Sequence, residues 1–165
     1  MIFKATLDPT AKLITIGIAI LIIGIILFPF FFNNYKFNLL SIFINLILIM
    51  VFVISYCFSP KSYEINAYSL LINRPFNTVI INKSNINYIQ IIKKENLNWS
   101  VRTFGVGGLF GYFGFFWNKK LGNMIWYASK RDTAIMINTK DGKTIIITPD
   151  EVEKFISIYL QFATN

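Results

Sequence analysis

The sequence has no histidine and a single cysteine, Cys57, in 165 residues. These gaps exclude a histidine-based catalytic triad, a His/Cys zinc site and a disulfide framework. Acid is scarce as well, with 8 Asp and Glu against 16 Lys and Arg, for a formal net charge of +8. Charged residues are 15% of the chain and hydrophobic residues 55%, whereas soluble domains average about 25% and about 45–50%. The mean hydropathy of +0.54 is therefore too high for one ordinary soluble domain. The apolar excess is uneven, which points to membrane segments plus one small domain.

Residues 13–32 and 37–58 carry no charge. The first run spans about 30 Å as a helix, the thickness of a bilayer core. Asn33-Asn34-Tyr35-Lys36 joins the two, and so short a link predicts an antiparallel hairpin of transmembrane helices 13–32 and 37–58. Isoleucine-rich segments are expected to be helical in lipid, because an isolated segment must satisfy its own backbone hydrogen bonds. A cleaved signal peptide fits poorly, since no A-x-A-like site follows and a second span does. Lys4 and Lys12 precede the first span, Lys61 and Arg74 follow the second, and the link holds only Lys36. The positive-inside rule then predicts a multi-pass protein of the plasma (inner) membrane. Its N-terminal tail (1–12) and its C-terminal domain would both be cytoplasmic. Gly17 and Gly24 share a helix face, and with Asn45 they are the candidate helix–helix contacts. No ionisable group lies within either span, so the hairpin is read as an anchor.

Ser59-Pro60 marks the start of a basic domain over 60–165. Short Ile/Val/Tyr-rich runs at 63–66, 69–73, 78–82, 86–92, 112–117, 124–129, 133–138 and 144–148 predict strands. Asp141-Gly142 predicts a tight type I′ hairpin, which explains away a P-loop reading of Gly142-Lys143-Thr144. Thr148, Pro149 and Glu151 form a Thr-x-x-Glu capping pattern ahead of a C-terminal helix. Asp150, Glu151 and Glu153 are expected in its first turn. Val152, Phe155, Ile156, Tyr159 and Phe162 give that helix one apolar face.

Three stretches carry a family likeness: Pro60-Lys61-Ser62-Tyr63-Glu64-Ile65, the run from Arg102 through Phe104, Gly105, Gly107, Gly108 and Gly111 to Gly114, and Asp141-Gly142-Lys143 leading to Thr148-Pro149-Asp150 and Phe155. Together they resemble the bacterial pleckstrin-homology (PH) like domains that follow a pair of membrane spans. The resemblance implies an all-β PH-like barrel or sandwich closed by one C-terminal α-helix, over roughly 60–162. Phosphoinositide-binding PH domains carry several basic residues around their first hairpin. Here that region offers only Arg74. The closing helix lacks the tryptophan usual in eukaryotic PH domains, and Phe155 or Tyr159 is the candidate for that role.

The glycine-rich stretch 104–117 is too short to span a bilayer, and Phe110 stands where a dinucleotide loop needs its third glycine. Two readings stay open. One is a glycine-permitted bend with its aromatics in the core. The other is a lipid-dipping loop carrying Phe104, Leu109 and Phe110. If the strands run in simple up-and-down order, Lys61, Arg74, Lys93, Lys94, Arg102, Lys130 and Arg131 gather at the membrane-facing end. Each such residue near anionic lipid gains about 1 kcal/mol.

These features predict a non-enzymatic, membrane-anchored binding module for lipid headgroups or a protein partner. The alternative is an accessory subunit of a membrane complex, with the hairpin as its interface. A homo-oligomer is also compatible. No cofactor, metal or nucleic acid is expected. No nucleophile–base pair is visible, and no nucleic-acid motif accompanies the basic charge.

Overall fold

The computed structural model describes residues 1–31 and 39–163. The expected link at 33–36 lies outside the described residues. In chain order, strand β1 (Ile2–Lys4) precedes helices α1 (Pro9–Phe31) and α2 (Leu39–Cys57). Strands β2 (Ser62–Ile65), β3 (Ser69–Asn73), β4 (Thr78–Asn82) and β5 (Ile86–Ile92) follow, then a short helix α3 (Lys94–Leu97). After it come β6 (Val101–Gly108), β7 (Gly111–Asn118), β8 (Gly122–Ala128), β9 (Ala134–Thr139), β10 (Thr144–Ile147) and the closing helix α4 (Val152–Ala163).

Both α1 and α2 are long and apolar enough to cross a membrane. Their large side chains are exposed all round, as at Ile20, Phe31, Leu39 and Leu46. A helix that is apolar on every face suits lipid or a protein core. Helix α1 begins four residues before the uncharged run. Asp8 explains this, because its Oδ1 accepts the Ala11 N–H at 2.7 Å and Pro9 supplies the first helical position.

The strands form two sheets, in the orders β1-β2-β3-β4 and β5-β9-β10-β8-β7-β6. They pack as a sandwich rather than a closed barrel. Residues 1–12 are more than a tail: β1 pairs antiparallel with β2, Phe3 facing Tyr63, and the terminal amino group donates to the Ile65 carbonyl at 2.6 Å. Phe3 is buried and its ring lies 4.9 Å from that of Phe155.

The second sheet corrects the up-and-down expectation. β10 inserts between β9 and β8 and runs parallel to β8. Its consecutive Ile145, Ile146 and Ile147 are all buried, so the strand needs cover on both faces and a neighbour on each side. One core lies between the sheets, built from Tyr63, Ile65, Leu70 and Ile72 against Ile135, Ile137, Ile145 and Ile147. A second lies on the opposite face of the larger sheet, around Phe116, Met124, Trp126 and Ile146, where Ala11 of α1 and Leu97 of α3 join it.

Three local expectations also change. The Asp141-Gly142 turn is not type I′. Thr139 N–H donates to the Lys143 carbonyl and Gly142 N–H to the Thr139 carbonyl, both at 3.0 Å, and only Gly142 has positive φ. This is the longer hairpin loop with one left-handed residue. Thr148 does not cap α4: its buried hydroxyl accepts the Ser129 N–H at 2.9 Å. The helix starts at Val152, and Asp150 instead accepts from the Thr6 hydroxyl at 2.7 Å and pairs with Lys130 at 3.3 Å. Phe155 and Tyr159 do face the core, with Val152 and Ile156 beside them. The Phe162 side chain lies outside the described residues.

Candidate functional site at the feet of the helices

The end of the domain where α1 leaves and α2 arrives gathers most of the sequence-predicted residues. At the foot of α1, Asp8 does more than cap. Its Oδ2 accepts the Arg131 N–H at 3.1 Å and the Tyr112 hydroxyl at 3.2 Å. The Arg131 guanidinium lies 5.0 Å from the Tyr112 ring and 5.7 Å from that of Trp126. Burial, with the Asp8 carboxylate close by, pushes the Tyr112 phenol up to about 12, so it stays a neutral donor. An open groove of about 690 Å³ runs beside this cluster, lined by Asp8, Ile14, Lys94, Tyr112, Lys130 and Arg131. Lys93 is exposed next to Lys94, just past the end of β5.

At the foot of α2, the Lys61 ammonium sits 4.4 Å from the Tyr56 ring centre, and burial lowers its pKa. Arg74 lies between the rings of Phe58 at 5.3 Å and Tyr127 at 5.4 Å, and burial lowers its pKa too. No carboxylate pairs with it among the described residues. The turn after β3 also ties down the helix end, because Phe76 N–H donates to the Cys57 carbonyl at 3.0 Å. That bond satisfies one of the carbonyls a helix leaves open.

The glycine-rich stretch forms the hairpin β6–β7, with Tyr112, Phe113 and Phe116 buried. Gly105 faces Gly114 in register, and both have positive φ. A Cβ on either would run into the opposite strand, at the Phe113 or Phe104 carbonyl oxygen. The paired glycines let two backbones approach where side chains cannot fit. Glycine also hid the strand in the sequence, since it removes the alternation that marks one. The hairpin tip reaches the helices. Phe110 N–H donates to the Thr15 hydroxyl at 2.9 Å, and the Phe110 ring makes edge contacts with Phe52 at 4.9 Å and Tyr56 at 5.3 Å. Leu109 beside it is half-buried. Phe104 is mid-strand and 75% exposed. Arg102 starts on β6 and folds back along it, with Nη1 3.5 Å from where a Gly107 Cβ would stand.

A Cβ on Gly17 or Gly24 would find nothing within 4 Å, so neither marks a close contact between α1 and α2. Asn45 does share a groove with Gly24, Pro29 and Ser41. No group of three or more metal-ligating side chains occurs among the described residues. Sequence reasoning missed Asp8, Tyr112 and Thr15 as the links between helix and domain. The Asp8-Pro9 pair was the available signal, being an N-cap followed by a first-turn proline.

Residues 45–162, more than half of the chain, match the family model described as bacterial PH domain. The chain belongs to the bacterial PH domain family. No curated protein and no solved structure matches it. The match begins inside α2 and leaves out β1 and α1, so the first strand of this bacterial PH domain protein lies outside the matched segment. PH-like folds are in general binding modules, and what each binds is set by its own surface.

Proposed function

We propose that this bacterial PH domain protein is a non-enzymatic, membrane-anchored binding module on the cytoplasmic face of the inner membrane. Helices α1 and α2 cross as a hairpin. The domain over residues 60–165, completed by β1, rests with its basic end against anionic headgroups. One observation carries the reading: Lys61, Arg74, Lys94, Lys130 and Arg131 ring the points where the two apolar helices enter the domain. Basic side chains at that level gain about 1 kcal/mol each from an anionic surface. The hairpin raises the local concentration of the domain, so weak contacts suffice.

Hydrogen exchange on the full chain in nanodiscs tests this. Backbone amides at 93–94, 108–111 and 129–133 are expected to exchange several-fold more slowly in anionic than in zwitterionic discs. High salt, or the double change Lys93→Glu and Lys94→Glu, should remove the difference. Equal exchange in both lipids would sink the headgroup contact.

The groove holding Gly24, Ser41 and Asn45 favours a second reading, an accessory subunit whose hairpin meets another membrane helix. The Asn45 amide there offers hydrogen bonds to a neighbour. Purification of a partner that is lost on Asn45→Leu and kept on Lys94→Glu would favour it.

A further inference from the structure

Beside the last turn of α2, the face of β6, β7 and β8 is left uncovered by the smaller sheet. Phe104 and Phe115 are cross-strand partners on it, 75% and 53% exposed. With Ile54 of α2, Phe58 just past its end, and Ile125 and Tyr127 of β8, they line an apolar groove of about 440 Å³. That volume falls within the range of small-molecule sites, which are mostly apolar with a few placed polar groups. Among the described residues, the one cation on the groove wall is Arg74. Its guanidinium is half-buried between Phe58 and Tyr127 and has no carboxylate partner among the described residues. Its Nε makes one long bond, to the Asn77 carbonyl at 3.4 Å, and a phosphate is a natural bidentate partner for a guanidinium fork. The wall is continuous with α2, whose Val51, Val53 and Ile54 are exposed. An acyl chain in the groove would stay in contact with the apolar helix surface along its length.

We propose that this groove seats one anionic phospholipid of the surrounding bilayer, its phosphate on Arg74 and one acyl chain along Phe104, Phe115 and Ile125. The proposal rests on the membrane-anchored reading above. It differs from a general basic surface in being a single defined site with an apolar floor.

The test uses the full chain in liposomes containing phosphatidylglycerol with a diazirine on one acyl chain. After irradiation, adducts are mapped by mass spectrometry. Label is expected on the helices and also on peptides containing Phe104, Phe115 or Ile125. The groove label should fall at least fivefold with Arg74→Gln, and likewise with the double change Phe104→Ser and Phe115→Ser. The two phenylalanines are exposed, so the fold should tolerate that change. Diazirine phosphatidylcholine should label the helices equally and the groove at least fivefold less. Label on the helices alone would overturn the groove site and leave the anchor standing. Label nowhere would overturn the membrane reading itself. Equal groove labelling by both lipids, insensitive to Arg74→Gln, would overturn the phosphate contact. Benzoylphenylalanine in place of Phe115 separates the remaining occupant: a lipid-mass adduct supports the proposal, and a crosslinked dimer without lipid overturns it in favour of a second copy.

Discussion

Tyr63 and Asp8 each couple parts of this molecule, and each makes a measurable claim. Tyr63 is fully buried; its hydroxyl donates to the Tyr127 carbonyl at 2.6 Å and accepts the Thr148 N–H at 3.2 Å. It thereby joins the smaller sheet to the larger one. Burial raises its pKa from 10.0 to about 12. The folded state therefore holds a proton that the unfolded chain gives up near pH 10. The contribution to stability is fully present below that pH and is lost as pH rises towards 12. Tyr63→Phe should lower stability at neutral pH by about 1–3 kcal/mol through the lost bonds. It should also flatten the alkaline fall, leaving the part due to Tyr112 and Tyr159, which burial likewise raises, as read by thermal melts in detergent across pH 8–12. Asp8 joins α1 to the larger sheet through Ala11, Tyr112 and Arg131. Asp8→Ala removes all three acceptor contacts and should cost about 2 kcal/mol. Asp8→Asn keeps a capping oxygen and should recover about half of that in the same melts.

The hairpin β6–β7 is the element on which the basic and apolar surfaces depend. Gly114→Ala would force a side chain into the Phe104 carbonyl at a φ of +115°. The backbone conformation alone costs about 1–3 kcal/mol, so the hairpin should open and the Phe110 contact with Thr15 should be lost. Hydrogen exchange at 108–111 should rise at least tenfold. Gly17→Ala, with open space around it, should leave the same amides unchanged. If both variants behave alike, the paired-glycine account is wrong. This element also shows what the sequence could and could not disclose. The runs 69–73, 78–82 and 86–92 matched strands to the residue, because turn residues bracket them and β-branched side chains fill them. β6 was invisible because its glycines carry no hydropathy signal. β1 is only 3 residues long, too short to show a period, and its pairing with β2 spans the whole helical hairpin. The order of the larger sheet was hidden for a related reason: a parallel pair such as β10 and β8 leaves no local mark. Lys93, Lys94, Lys130 and Arg131 sit where β5 ends and β9 begins, and antiparallel pairing of those two strands brings them together whatever the remaining order.

At the scale of the whole chain, topology fixes the relation between helices and domain. Residues 2–4 and 62–65 lie side by side in one sheet, on either side of the two apolar helices in sequence. Helix α1 therefore leaves, and α2 returns to, the same domain, which is what the proposed pair of antiparallel spans requires. This places the basic end, the β6–β7 tip and the groove beside α2 at one level. In the function proposed above this level is the cytoplasmic surface of a membrane, and a single thiol tests that placement. In a Cys57→Ser background, Lys140→Cys puts the only cysteine on the exposed loop between β9 and β10, away from the helix end. A membrane-impermeant maleimide should label this protein in inverted membrane vesicles and leave it unlabelled in intact cells, and the protein should stay with the membrane through an alkaline wash. Labelling in intact cells, or release by the wash, would contradict the account.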